Sequence, residues 1–185
     1  MIHPTALIGE APEHRDWLPS DGMHLPLIHS AARIEALVTV DAGIGRPTMV
    51  LRGAFLMKKV HVGHDAIIGA GAELAPMTSV GGHVIIGNDV KVGQGATFKP
   101  YVRVGDGARI GMGAVVTKNV PAGAVWAGNP AKPLGRHCEA CGRKIDELQR
   151  LPYCQPLCNE ASAPGEVLTP LEEKGWEEFG ESAAR

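Results

Sequence analysis

The chain has 185 residues, a formal charge of −2, 44% apolar residues and only 4% aromatics. The near-neutral charge balance excludes a broad basic surface for nucleic acid. No run of 18 apolar residues exists, and no basic segment followed by an apolar run opens the chain. Neither a membrane span nor a secretory leader is therefore expected, and a cytoplasmic location is, with the four cysteines kept as thiols.

Ile2 and Ile8 lie six residues apart with Ala6 between them, which reads as the start of a coil. The phase is then lost from Glu10 to Pro26, a stretch holding Pro12, Pro19, Pro26, Asp21 and Gly22. Such breakers predict a loop projecting from the first coil. It carries Glu13, His14, Arg15, Asp16, Trp17 and His24. It is either a solvated loop or a cover over a neighbouring subunit's cleft that holds acceptor substrate, with His14 and Arg15 as contacts. The spacing resumes at Ile28 and Ile34 and slips by four between Val40 and Ile44.

From Ile44 to Val120 the pattern is unbroken. Thirteen residues spaced by six, from Ile44, Val50 and Leu56 to Val104, Ile110 and Val116, are all apolar. The residue four further on is always Ala, Thr or Val, and Gly directly follows the large residue in eight of the thirteen hexads. A period of six fits neither an ordinary helix nor a plain alternating strand. It fits a coil with flat sides: a bulky aliphatic inside, a small residue at each crowded corner, and Gly where the turn needs positive φ. Three sides return the chain to the same face after ~18 residues, and stacked coils pair as parallel strands. The fold expected is all-β, over residues 1–136.

The segment H-V-G-H-D, His61 to Asp65, is the expected seat of chemistry. Counting one coil forward stacks His64 on Gly82, Asp65 on His83, and His83 on Tyr101. Imidazole can accept a proton near neutrality, and a neighbouring carboxylate fixes its tautomer. Gly82 would present a bare amide N–H to a tetrahedral oxyanion. The plainer reading is a set of solvated corner residues.

The hexads, together with L-M-K-K-V-H-V-G-H-D and G-G-H-V-I-I-G, resemble the hexapeptide-repeat acyltransferase family, whose fold is a left-handed parallel β-helix. Within that family they are similar to UDP-N-acetylglucosamine acyltransferases and sugar N-acetyltransferases. The resemblance implies His64 as general base assisted by Asp65, the Gly82 amide as oxyanion donor, and His61, His83 and Tyr101 as substrate contacts. It implies an acyl-CoA or acyl-carrier-protein thioester as donor, an amine or hydroxyl of a sugar or nucleotide-sugar as acceptor, and a homotrimer with active sites between subunits. Residues Gly111 to Lys132 are similar to the coenzyme A end of these transferases. There Gly111 and Ala114 would line the groove, and Lys118 and Lys132 would meet phosphates. The alternative for this stretch is a simple end to the coil, with Trp126 as its cap. Two rivals to the enzyme stand beside it: a non-catalytic trimeric scaffold, and a γ-type carbonic anhydrase. The latter needs a second His where Gly69 stands.

Beyond Arg136 the hexads stop. Cys138, Cys141, Cys154 and Cys158 form two short pairs, suited to tetrahedral zinc in a closed structural site over residues 137–160, with a short helix between the pairs. Free thiols or disulfides are the alternatives. Residues 161–185 form an acidic tail, helical or disordered. Metal analysis of the purified chain is expected to give about one zinc per chain; less than about one per three chains would defeat the zinc reading.

Overall fold

The computed structural model describes residues 1–16, 18 and 22–134. Trp17, the four cysteines with their expected zinc, and the acidic tail lie outside the described residues. The described residues contain strands and turns and no helix, and the fold is a left-handed parallel β-helix.

Three parallel sheets form the sides of a prism. The first stacks Leu7–Glu10, Thr39–Asp41, His61–Val62, Ser79–Val80, Thr97–Phe98 and Val115–Val116. The second stacks Leu27–Ile28, Met49–Val50, Ile67–Ile68, Ile85–Ile86 and Arg103–Val104. The third runs from Arg33–Ile34 to Val125–Ala127 and closes with Lys132–Pro133, the one antiparallel pair among the described strands. Each strand sends one side chain in and one out, so a two-residue strand suffices per side. The inward residues are the large members of the hexads: Val62, Val80 and Phe98 on the first side, Val50, Ile68 and Ile86 on the second, and Leu56, Leu74 and Val92 on the third, all buried. The small residues Ala54, Ala66, Ala72, Ala96 and Ala108 occupy corners that are fully buried too.

The register is 18 residues along most of the prism, as Ser79 opposite Thr97 and Ile67 opposite Ile85 illustrate. It lengthens to 22 where Thr39 pairs with His61. The extra four residues belong to the turn between Asp41 and Met49. The phase expected from Ile44 onward is corrected here: Ile44 sits in this inserted turn, half-buried and outside any strand, and the regular interior begins at Val50. A second irregularity pairs Val104 with Val120, so Val120 fills an interior strand position rather than a small corner.

The regular glycines also play a different part from the one expected. Gly69 does not have positive φ; a Cβ there would lie 2.3 Å from the Gly87 carbonyl oxygen of the next coil. Close stacking of backbones, not turn geometry, demands glycine at that position. Positive φ falls two residues later in the hexad, where Gly71 and Gly107 alternate with residues that bear side chains. Asp65, His83 and Tyr101 form one such column, at φ 57°, 59° and 68°. A non-glycine residue in this region costs ~1–2 kcal/mol, and Leu37, Lys59 and Met77 form a second such column at φ 59°, 61° and 63°, so the backbone alone does not set the Asp65 column apart.

Candidate active site

His64 and Asp65 sit at the corner between the first and second sheets. Asp65 is fully buried. Its Oδ1 accepts hydrogen bonds from the backbone N–H of Gly45 at 2.8 Å and of Arg46 at 2.7 Å, and its Oδ2 accepts from Ile44 N–H at 2.9 Å. The inserted turn is therefore a cradle of amide donors wrapped around one carboxylate. The Arg46 Nε closes it by donating to the Asp65 carbonyl at 3.0 Å. Burial pushes the Asp65 carboxyl up, but the Ile44 amide, the His64 ring and the Arg46 and Gly45 amides together hold it below the usual range.

His64 Nδ1 lies 2.8 Å from Asp65 Oδ2. An ionised carboxylate only accepts, so Nδ1 carries a proton, and in the neutral ring Nε2 is then the nitrogen with the lone pair. That Nε2 is aimed along the axis at Gly82: a Cβ on Gly82 would stand 2.5 Å from it. At another corner of the prism the amides are capped from the next coil, Ala70 N–H by Asn88 Oδ1 and Asn88 N–H by Asp106 Oδ1. Above Gly82 the stacked residue is Pro100, which has no such group. Among the described residues no acceptor is found for the Gly82 N–H.

The other expected residues gather unevenly. His83 meets His64 edge-on at 5.1 Å between ring centroids, and Tyr101 stacks flat on His83 at 4.5 Å. Burial lowers the His83 pKa against the pull of Asp65, and His64, Arg46 and His14 lower it further, which keeps His83 neutral. His14 reaches back from the loop to meet the His64 of its own chain at 5.5 Å. Arg15 stays exposed in that loop. His61 turns to the other side, where its Nδ1 is 2.9 Å from Thr39 Oγ1. Gly111 is half-buried, and Lys118 and Lys132 are exposed on the last coils. The expectation for Ala114 fails: it is wholly buried, its methyl in the interior corner column, so it offers no side chain to an outer groove.

Sequence reasoning missed three side chains. Asp41, 4% exposed, lies with Oδ2 3.9 Å from His61 Nε2. Burial raises its pKa, His61 and His64 oppose this, and Glu13 adds to it. Arg46 and Arg103 face a cavity of about 560 Å³ beside Asp65, together with His24, His83, Tyr101, Pro47 and Ile85. The only signal for Arg46 was the slip in phase; Arg103 gave none.

His64, Asp65 and His83 also present ligand atoms within 4.8 Å of one another, a spacing that a metal ion could use. The donors do not fit the role. Both Asp65 oxygens already accept two hydrogen bonds each, counting His64 Nδ1, and a metal there would dismantle the cradle. What the arrangement offers instead is an imidazole oriented by a carboxylate and set against the backbone of Gly82, the pairing that acyl transfer requires.

Residues 83–118 match the family model for the bacterial transferase hexapeptide of six repeats. No curated protein matches the chain. Among solved structures, UDP-N-acetylglucosamine O-acyltransferase (LpxA) from Moraxella catarrhalis is 30% identical with a TM-score of 0.69, over 72% of this chain and 52% of that one. LpxA from Acinetobacter baumannii is 26% identical with a TM-score of 0.69 over the same shares, 72% and 52%. The acetyltransferase domain of PglB from Neisseria gonorrhoeae, in complex with acetyl coenzyme A, is 28% identical with a TM-score of 0.60, over 72% of this chain and 56% of that one. The chain thus spans about half the length of these proteins.

Replacing Asp65 with Asn should leave the coils intact but set an amide donor against three amide donors. Because the folded carboxyl titrates below its unfolded value, its contribution is full above pH ~4 and fades as pH falls through the folded value. Asp65→Asn is expected to destabilise by about 1–3 kcal/mol at neutral pH, with the gap to wild type narrowing in acid. Urea denaturation across pH 2–7 checks this; a gap that stays constant would show that the charge contributes nothing.

Proposed function

Because the chain belongs to the hexapeptide-repeat acyltransferase family, we propose that it transfers an acyl group from a coenzyme A or acyl-carrier-protein thioester to an amine or hydroxyl of a sugar, most simply one linked to a nucleotide. The observation that carries this reading is the His64 ring, oriented by Asp65, with its bare Nε2 directed at Gly82.

His64 Nε2 removes the proton from the acceptor N–H or O–H as that atom attacks the thioester carbonyl. The carbonyl oxygen becomes an oxyanion and takes the hydrogen bond of the Gly82 amide. When the tetrahedral adduct collapses, the C–S bond breaks, and the leaving thiolate takes the proton from the His64 imidazolium. The imidazole is thus restored, and no covalent bond to the protein forms. Asp65 stays ionised throughout and stabilises the imidazolium. Neutral His83 and the His14 ring border the space where the acceptor sits, and His61 contacts it from the opposite side. At the last coils, Lys118 and Lys132 would meet the donor's phosphates beside Gly111.

The outer surface of the second sheet supports assembly with further copies, which we read as a homotrimer. Four of its five outward residues, Leu27, Met49, Ile67 and Ile85, are apolar, and Arg103 ends the row. The third sheet presents mostly charged residues, Arg33, Glu73, Lys91 and Arg109, with Phe55 and Val125 among them. An apolar stripe beside a charged one marks the face that meets another copy, and it borders the His64 corner. No helix of the described residues is long and apolar enough to cross a membrane. The cytoplasm is where thioester donors and nucleotide sugars are both available.

The test is mass spectrometry of products after incubation with acyl thioesters and nucleotide sugars. His64→Ala should lower turnover by ~10²–10⁴-fold with melting temperature preserved. Gly82→Ala should also be severely impaired, because its methyl collides with an imidazole that Asp65 holds in place. Near-normal rates in both variants would remove this corner from catalysis.

A further inference from the structure

The cavity next to His83 is chemically distinct from the space above His64. Its lining includes one carboxylate, Asp65, whose charge is already met by three backbone amides and the His64 ring. Against it stand two guanidiniums, Arg46 and Arg103, with His24 and His83 alongside. The cavity is therefore cationic, and Pro47, Ile85 and Tyr101 give it partly apolar walls that strengthen electrostatic attraction within it.

The two arginines come from independent parts of the fold. Arg46 belongs to the inserted turn, anchored by its backbone N–H on Asp65 Oδ1 and its Nε on the Asp65 carbonyl. Arg103 is the outward residue of a strand on the second sheet, where the equivalent positions on earlier coils are Met49, Ile67 and Ile85. A charge at the end of an apolar row is unexplained by packing. Burial lowers the Arg46 pKa, Asp65 opposes this, and the positive charge of Arg103 lowers it further. An anion seated between the two arginines would relieve that repulsion.

We propose that this cavity is the diphosphate subsite of a nucleoside-diphosphate-linked acceptor, with Arg46 and Arg103 as its clamp. Guanidinium forks match phosphate oxygens in pairs, and two of them around about 560 Å³ suit a diphosphate better than one small anion. Tyr101, 70% exposed and stacked on His83, leaves its other face to a sugar or base at the rim. The position favours acceptor over donor. In coenzyme A the whole pantetheine arm separates the thioester from the phosphates. In a nucleotide sugar only the sugar ring separates the reacting group from the diphosphate. This assignment rests on His64 being the base, and it makes Arg46 and Arg103 determinants of acceptor specificity.

Binding without turnover tests it. Calorimetric titration of the full chain with inorganic pyrophosphate, UDP, N-acetylglucosamine and succinate separates diphosphate recognition from sugar and carboxylate recognition. Pyrophosphate and UDP should bind both wild type and His64→Ala, and salt should weaken binding. Arg103→Ala should weaken both ligands by about 10- to 100-fold at an unchanged melting temperature, with Arg103→Lys in between. Succinate binding as tightly as pyrophosphate, or equal UDP affinity in wild type and Arg103→Ala, would overturn the assignment. Loss of acyl transfer as an activity, with pyrophosphate binding intact, would fault the reading of His64 and leave the anion subsite standing.

Discussion

One buried carboxylate organises the reactive corner. Asp65 has no exposure to solvent, yet it remains ionised because three consecutive amides of the inserted turn and one imidazole N–H all point at it. A buried charge is tolerable only with such a shell. The shell binds two unlike pieces of chain together: an irregular turn that the repeat does not require, and a repeat corner that would otherwise be uniform. His64 takes its tautomer and its direction from that carboxylate, and Arg46 takes its place in the cavity wall from the same residue.

The prism supplies rigidity, and the corner supplies asymmetry. Along the column at positive φ, successive coils place Asp65, His83 and Tyr101, so a change of 18 residues moves a side chain one strand spacing along the axis. On one side of His64 lie Arg46 and Arg103; on the other lie Asp41 and His61, with Glu13 close enough to raise the Asp41 pKa. The imidazole thus stands between a cationic and an acidic region. A substrate carrying an anionic group and a polar nucleophile can be oriented by both at once, which is how positioning contributes to rate.

Much of this was legible in the residues. The hexad reports interior volume directly, since each coil side buries one large residue, and a stacking period of 18 follows from three sides. The meeting of His64 with Gly82 and of Asp65 with His83 is then arithmetic. What escaped lies where the period breaks. The turn from Ala42 to Pro47 has no repeat to fix its path, so its amides, the demotion of Ile44 from the core, and the direction of Arg46 could not be read. Asp41 lies at the last strand position before that turn, where the hexad assigns no role to an outward carboxylate. The reason for the regular glycines was also hidden, because contact between coil backbones leaves the same mark in sequence as a turn at positive φ. Ala114 shows the limit of resemblance: a residue matched by motif turned out to be an interior methyl.

Proton transfer at this corner depends on which nitrogen of His64 holds the proton in the resting protein. Long-range proton–nitrogen correlation NMR of the histidine rings, with His64 assigned by substitution, reads this directly at neutral pH. The expected result is a ring protonated at Nδ1, with an unprotonated Nε2. A neutral ring protonated at Nε2 alone would contradict it, since Nε2 could not take the acceptor's proton and Nδ1 would have none to donate to Asp65.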